Sequence, residues 1–333
     1  MLLAVLATVS CGGDDSADPA SAPVGPATVA SGVETSSTST SSTAPTPTTA
    51  PRSTTTTTST TSTSTSTTTT TAVPKPPVED IVVAGDSMAL GLYPPLQAAL
   101  QTPDRPVGFS WALVVLDDER RVWERLFTID RPDVVIVHFS VWENAVLRGN
   151  EVIDSGDEGW PEIYRRDYVD PWIERAVGSG SHVVWIGLPP AANTSRWTDN
   201  HEINAVWRTA VLDAARQQRQ RGEEPSIEWV DIDQLLTAPD GRFTEIDRTV
   251  DPPERLFNVD GLHWCPAGAA RVAQAVVEVL AADVDLGGDD PPPVPDWRTA
   301  PWANEPVVVP SAQGSPTGLS VAYPEGECPP VAE

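Results

Sequence analysis

Ile81-Val-Val-Ala84-Gly85-Asp86-Ser87-Met88 is a short continuous apolar run that stops at a glycine and passes through Asp-Ser into a stretch with helical apolar spacing up to Leu100. An unbroken apolar run bounded by Glu79-Asp80 and Gly-Asp-Ser is the pattern of a parallel strand buried on both faces. Pro94 and Pro95 should mark a break or a first turn in the segment that follows, because proline removes a helical N–H and clashes with the preceding turn. The same alternation recurs down the chain. Asp133-Val-Val-Ile-Val137, Val183-Val-Trp-Ile-Gly187 and Ile227-Glu-Trp-Val-Asp231 read as further buried strands. Between them lie helical patterns: one capped by Asp117-Asp118, one from Asp170-Pro171 to Gly178-Ser-Gly180, and one carrying Ile203, Val206, Trp207, Ala210, Val211 and Ala214. An Ala/Val-rich helix from Pro266 to Ala282 closes the series. Strands alternating with helices predict a three-layer α/β/α sandwich with a mostly parallel sheet, flavodoxin-like in outline. Ligands in such folds bind beyond the carboxyl ends of the strands, where Ser87, Ser140 to Asn144 and Pro189-Pro190 should gather.

Ser87 follows a strand and opens a helix, so its N–H and the helix dipole point toward any negative charge that develops beside its hydroxyl. Read alone, Gly-Asp-Ser fits a plain helix cap equally well. Asp260-Gly-Leu-His263 stands just before the last helix, and His263 is the one histidine with a carboxylate three residues ahead of it. On a loop turning into a helix, Asp260 can accept from one imidazole nitrogen while the other faces a serine. By itself this too fits a surface loop with a capping Asp.

Together, Gly85-Asp86-Ser87 and Asp260-x-x-His263, in that order, resemble the SGNH (GDSL) hydrolase superfamily over about 200 residues. The resemblance implies an acyl mechanism with Ser87 as nucleophile, His263 as base and Asp260 as its partner, with neither metal nor organic cofactor. It also implies oxyanion-hole donors. Ser87 N–H is one. Gly108, in Val107-Gly108-Phe-Ser-Trp111, is the nearest candidate for the family's second block. The third block, normally Gly-x-Asn-Asp, here reads Ser140-Val-Trp-Glu143-Asn144. Trp142 and Glu143 replace Asn and Asp, as in an actinobacterial-looking branch, and Asn144 supplies an amide only if the loop shifts. Glu143 should turn inward to the backbone. Trp160, Tyr164, Tyr168, Trp197 and Trp207 lie near the rim and should mostly pack rather than line a site.

The 333 residues divide unevenly. Residues 1–11 are apolar and end at Ser10-Cys11, which resembles a lipobox with Cys11 as the lipidated residue, although Thr8 stands where Leu is usual and no Lys or Arg precedes. Another export signal, or an apolar start without a role, fits the same residues. Residues 12–77 are a Ser/Thr/Pro-rich linker with too few apolar groups to fold. Residues 78–285 form the hydrolase domain, and 286–333 a Pro-rich tail. Export favours pairing Cys265 with Cys328, which would pin this tail beside His263; two unpaired thiols are the alternative. The net charge of −26 repels nucleic acid and anionic lipid, leaving an N-terminal lipid as the only route to a membrane. The four histidines and three cysteines show no HExxH or CxxC spacing, hence no zinc signature. No GxGxxG follows the first strand, which excludes a dinucleotide domain. The expected function is an exported, surface-anchored or secreted serine esterase acting on glycan or small-molecule esters, or an acyltransferase with the same first half-reaction. The competing expectation is a catalytically weak surface module that binds glycan or protein.

Overall fold

The computed structural model describes residues 75–113, 119–139, 145–148, 151–189, 200–239, 241–288, 290–311, 319–323 and 326–331. In chain order the first elements are β1 (Asp80–Gly85), α1 (Ser87–Leu100), β2 (Gly108–Leu113), α2 (Glu119–Arg125), β3 (Val134–His138), β4 (Ala145–Arg148) and β5 (Glu151–Asp154). Next come α3 (Trp160–Tyr164), α4 (Asp170–Ser179), β6 (His182–Ile186), α5 (Asn200–Gln220), β7 (Ile227–Val230) and α6 (Asp233–Leu236). The chain then forms β8 (Ile246–Asp247), β9 (Glu254–Arg255), α7 (Pro266–Asp283), α8 (Pro301–Asn304), β10 (Val307–Val309) and β11 (Leu319–Val321).

Five strands make the central sheet in the order β2-β1-β3-β6-β7, all pairs parallel. Four of them are the apolar runs of the sequence. The fifth, β2, alternates too weakly to stand out, since Gly108 and Ser110 interrupt Phe109, Trp111 and Ala112. Strand order reverses between β1 and β3, which opens a crevice beyond their carboxyl ends. Side chains of β1, β3, β6 and β7 point alternately to two apolar layers. One joins Val83, Ile136 and Val184 to α1 and α7 through Leu92, Leu96, Val272 and Val276. The other joins Val135, Val137 and Trp185 to α2, α4 and α5 through Trp123, Trp172 and Trp207. Of the aromatics considered as rim groups, Trp160, Tyr164 and Trp207 are fully buried, and the Trp207 Nε1 donates to the Tyr164 hydroxyl at 2.9 Å. Tyr168 packs against the same layer, while Trp197 lies outside the described residues.

Pro94 and Pro95 do not break α1, which runs through both. Proline at 95 deprives the Gly91 carbonyl of its helical donor, and the Tyr323 hydroxyl supplies one instead at 2.5 Å. A hydroxyl from more than two hundred residues away thus completes the first helix. Tyr323 belongs to the Pro-rich segment expected to be a tail. That segment is instead built into the domain: Val309 and Val321 enter the α1/α7 layer, and Trp111 N–H donates to Pro310 O at 3.0 Å. The Cys265–Cys328 disulfide is present, with Cα atoms 5.6 Å apart. Cys11 and most of the linker lie outside the described residues. Among the described residues, no helix is long and apolar enough to cross a membrane.

Candidate active site

Gly85 ends β1 with φ +149°, and a Cβ there would sit 1.8 Å from the His138 carbonyl oxygen. Only glycine makes both the turn and the approach. Asp86 then caps α1, its Oδ1 accepting Met88 N–H at 2.9 Å, and Ser87 becomes the first helical residue, exposed at the sheet rim. Its N–H is one of the first-turn donors that have no intrahelical acceptor.

His263 arrives from the other end of the chain on a tight loop. Asn258 N–H donates to His263 O and Cys265 N–H to Leu256 O, closing residues 256–265 into a hairpin-like bend. Inside it, Asn258 Oδ1 accepts Asp260 N–H at 2.7 Å, and Asp260 Oδ1 accepts Leu262 N–H at 2.8 Å and His263 N–H at 3.0 Å. The bend sits close on its own helix, since a Cβ on Gly268 would meet Leu256 O at 2.2 Å. The Trp264 Nε1 donates to Met88 O at 3.0 Å, which fixes the loop against the start of α1.

These constraints bring three side chains together. The Asp260 Oδ2 lies 2.6 Å from His263 Nδ1, and the His263 Nε2 lies 3.0 Å from Ser87 Oγ. With the Nδ1 proton donated to the carboxylate, the Nε2 lone pair is left to accept from the Ser87 hydroxyl. Burial alone would raise the Asp260 carboxyl. Hydrogen bonds from the His263 ring and from Leu262 and His263 N–H outweigh it and hold the group below its usual range, so it is ionised at neutral pH. Both Asp260 and His263 remain over 40% exposed, so the site opens to solvent.

Gly108 is not an oxyanion donor. It pairs with Asp80 at the amino end of the sheet, whereas Ser87 follows the carboxyl end of β1, and its N–H donates to Glu79 O. In parallel strands the residue level with Gly85 is Leu113, so the second-block position follows Leu113. Residues 114–118 and the third-block segment, with Trp142, Glu143 and Asn144, lie outside the described residues.

Other neighbours were not apparent from sequence. A cleft of about 270 Å³ beside Ser87 and His263 has Asn258 and Trp264 on one side and Ser320 to Tyr323, Glu327 and Cys328 on the other. Glu327 holds that second wall in place: its backbone O accepts Val259 N–H at 3.0 Å and its Oε2 accepts from Asn258 Nδ2 at 3.1 Å. Cys328 was the one sequence signal for this wall. The second neighbour is His138, fully buried at the end of β3 and stacked on Trp264 with ring centroids 5.7 Å apart. Burial pushes His138 down to about 4, against the opposing pull of Asp86 and the Ile186 carbonyl. The folded chain therefore keeps this ring neutral where an unfolded chain protonates it. Its contribution to stability is complete above the ordinary histidine value, about 6.5, and is lost as pH falls from there toward 4. Melting temperature should drop over that window, and His138→Phe, which keeps an aromatic ring without the titration, should drop less. Parallel curves for the two proteins would contradict this.

The crevice of a five-stranded parallel sheet, with Gly-Asp-Ser after its first strand and Asp-x-x-His before its last long helix, defines an SGNH-type α/β protein. The chain belongs to the family described as a protein of unknown function, DUF459, whose model matches residues 80–279 and so spans Ser87, Asp260 and His263. Similar solved structures include the periplasmic domain of a lipopolysaccharide acetyltransferase from Salmonella ser. Paratyphi A, 15% identical with TM-score 0.39, over 61% of this chain and 83% of that one. An acetyl-xylooligosaccharide esterase from Geobacillus is 14% identical with TM-score 0.39, over 62% and 95%. A GDSL-like lipase from Bacteroides thetaiotaomicron is 12% identical with TM-score 0.37, over 61% and 88%. No curated protein matches the chain.

Proposed function

We propose that this protein is an exported serine esterase of short acyl esters, or an acyltransferase that shares its first half-reaction. The observation that carries the proposal is the unbroken line from Asp260 through His263 to Ser87, with contacts of 2.6 and 3.0 Å. His263 Nε2 takes the hydroxyl proton as Ser87 Oγ attacks the ester carbonyl. Charge on the carbonyl oxygen develops beside Ser87 N–H at the positive end of α1. The imidazolium, held by Asp260, returns its proton to the departing alcohol. Water, or the hydroxyl of a sugar, then attacks the acyl-enzyme with His263 again as base.

The alignment weighs against a purely binding role, which requires no such contact. The disulfide suits an oxidising compartment and so supports export. A fluorophosphonate probe should label the wild-type chain and not Ser87→Ala, and equal labelling would refute the mechanism. The described part of the cleft, about 270 Å³, has polar groups from Asn258 and Glu327 on its walls, which suits a short acyl group better than a long one. Turnover of p-nitrophenyl esters should therefore favour acetate and butyrate over decanoate by roughly tenfold or more. A preference for decanoate would point to a lipid substrate instead.

A further inference from the structure

At the end of the sheet remote from Ser87, three ligand-bearing side chains converge from three elements. His182 opens β6. Glu228 lies on β7 in register with Val184, so it projects from the same sheet face as His182. That face is covered by α7, whose last residue is Asp283. One ligand atom from each of His182, Glu228 and Asp283 falls within 4.8 Å of the other two. His182 is 91% buried, and its Nε2 meets no hydrogen-bond partner among the described residues. A buried ring nitrogen without a partner is costly and is most simply explained by a ligand.

The local electrostatics point to a cation. Glu228 and Asp283 bring two carboxyl groups together beside the His182 ring, within reach of a single ion. Asp283 also stands at the negative end of an 18-residue helix.

We propose that His182, Glu228 and Asp283 bind one divalent cation of the zinc type, with water completing the shell. One imidazole and two carboxylates neutralise a dipositive ion, and the mixed nitrogen–oxygen set suits zinc or cobalt better than magnesium or calcium. Ligand atoms on a tetrahedral zinc stand about 3.3 Å apart, given bonds of about 2.0–2.1 Å. The Glu228 and Asp283 side chains are only partly buried, so the proposal has them rotate inward to close the remaining gap. Binding ties the last long helix to the β6–β7 edge. The sequence shows no zinc spacing because the ligands are separated by 46 and 55 residues, which no short pattern captures.

The full chain, dialysed against chelator, should take up one zinc per molecule in a calorimetric titration and melt at a higher temperature with zinc present. Cobalt in its place should give the visible absorption of a tetrahedral site. Glu228→Gln and Asp283→Asn should each weaken uptake by about tenfold or more, and His182→Phe should abolish it. His263→Ala serves as the control for metal held by the Asp260–His263 pair and should bind zinc like wild type. Absence of uptake by the wild-type chain would overturn the proposal. So would uptake that survives unchanged in Glu228→Gln and Asp283→Asn, or that disappears in His263→Ala.

Discussion

His263→Ala is expected to lower kcat/KM on a short acyl ester by about 10⁴- to 10⁶-fold, and Ser87→Ala by a similar factor. The double variant should be no slower than either single one, because the hydroxyl and the imidazole act as one unit: removing the base leaves an alcohol too weak to attack, and removing the alcohol leaves the base without a proton to take. A loss of 10⁴ corresponds to about 5 kcal/mol of transition-state stabilisation. Asp260→Asn should cost less. The carboxylate orients the ring through a 2.6 Å contact, but both partners are more than 40% exposed and water can replace part of the charge stabilisation. Steady-state kinetics on the four proteins would check the ordering. Rates in His263→Ala within a few-fold of wild type would remove the imidazole from the chemistry.

Loss of the Cys265–Cys328 bond is expected to have the largest effect on stability. The cysteines are 63 residues apart, and the chain-entropy model assigns a loop of that length about 4 kcal/mol. For a domain of this size the melting temperature should fall by about 8 to 16 °C in the Cys265→Ser, Cys328→Ser double variant. The kinetic consequence should be selective. His263 stays anchored through Trp264 and Met88, whereas the wall carrying Tyr323 and Glu327 loses its covalent tie and keeps only its hydrogen bonds and the packing of Val321. KM should therefore rise more than kcat falls. Calorimetry and kinetics on the double variant test both halves, and an unchanged melting temperature would show that the tail is held without the disulfide.

The sheet was legible in the sequence wherever burial on both faces leaves a continuous apolar run, as in Ile81–Ala84 and Val183–Ile186. β2 escaped because an edge strand has one neighbour and tolerates Gly108 and Ser110 among its apolar residues. That same strand shows why Gly108 was misplaced as an oxyanion donor: spacing along the chain does not say which end of a strand a residue occupies, and pairing with Asp80 does. Ser87, Asp260 and His263 could be singled out because local rules, a strand exit and an i,i+3 pair, constrain each one. Their meeting depends on Trp264 bonding to Met88, a tertiary contact with no local signature. Pro94 and Pro95 marked a helix break by local rules, yet the Tyr323 hydroxyl repairs the missing bond from far along the chain. The Asn258–Glu327 pair and His182 with Glu228 and Asp283 are likewise long-range pairings that a single sequence cannot display.

The order of synthesis gives the disulfide-linked wall a further meaning. A ribosome that has just made His263 has supplied all three residues of the Ser-His-Asp line but must add 63 residues past Cys265 before Cys328 exists. A growing or truncated chain within that interval carries Ser87 with one side of its cleft missing and Gly91 without its Tyr323 donor. On the function proposed above, the second wall of the cleft is complete only once Cys328 has been added, and an oxidant then locks it in place by joining the two sulfurs.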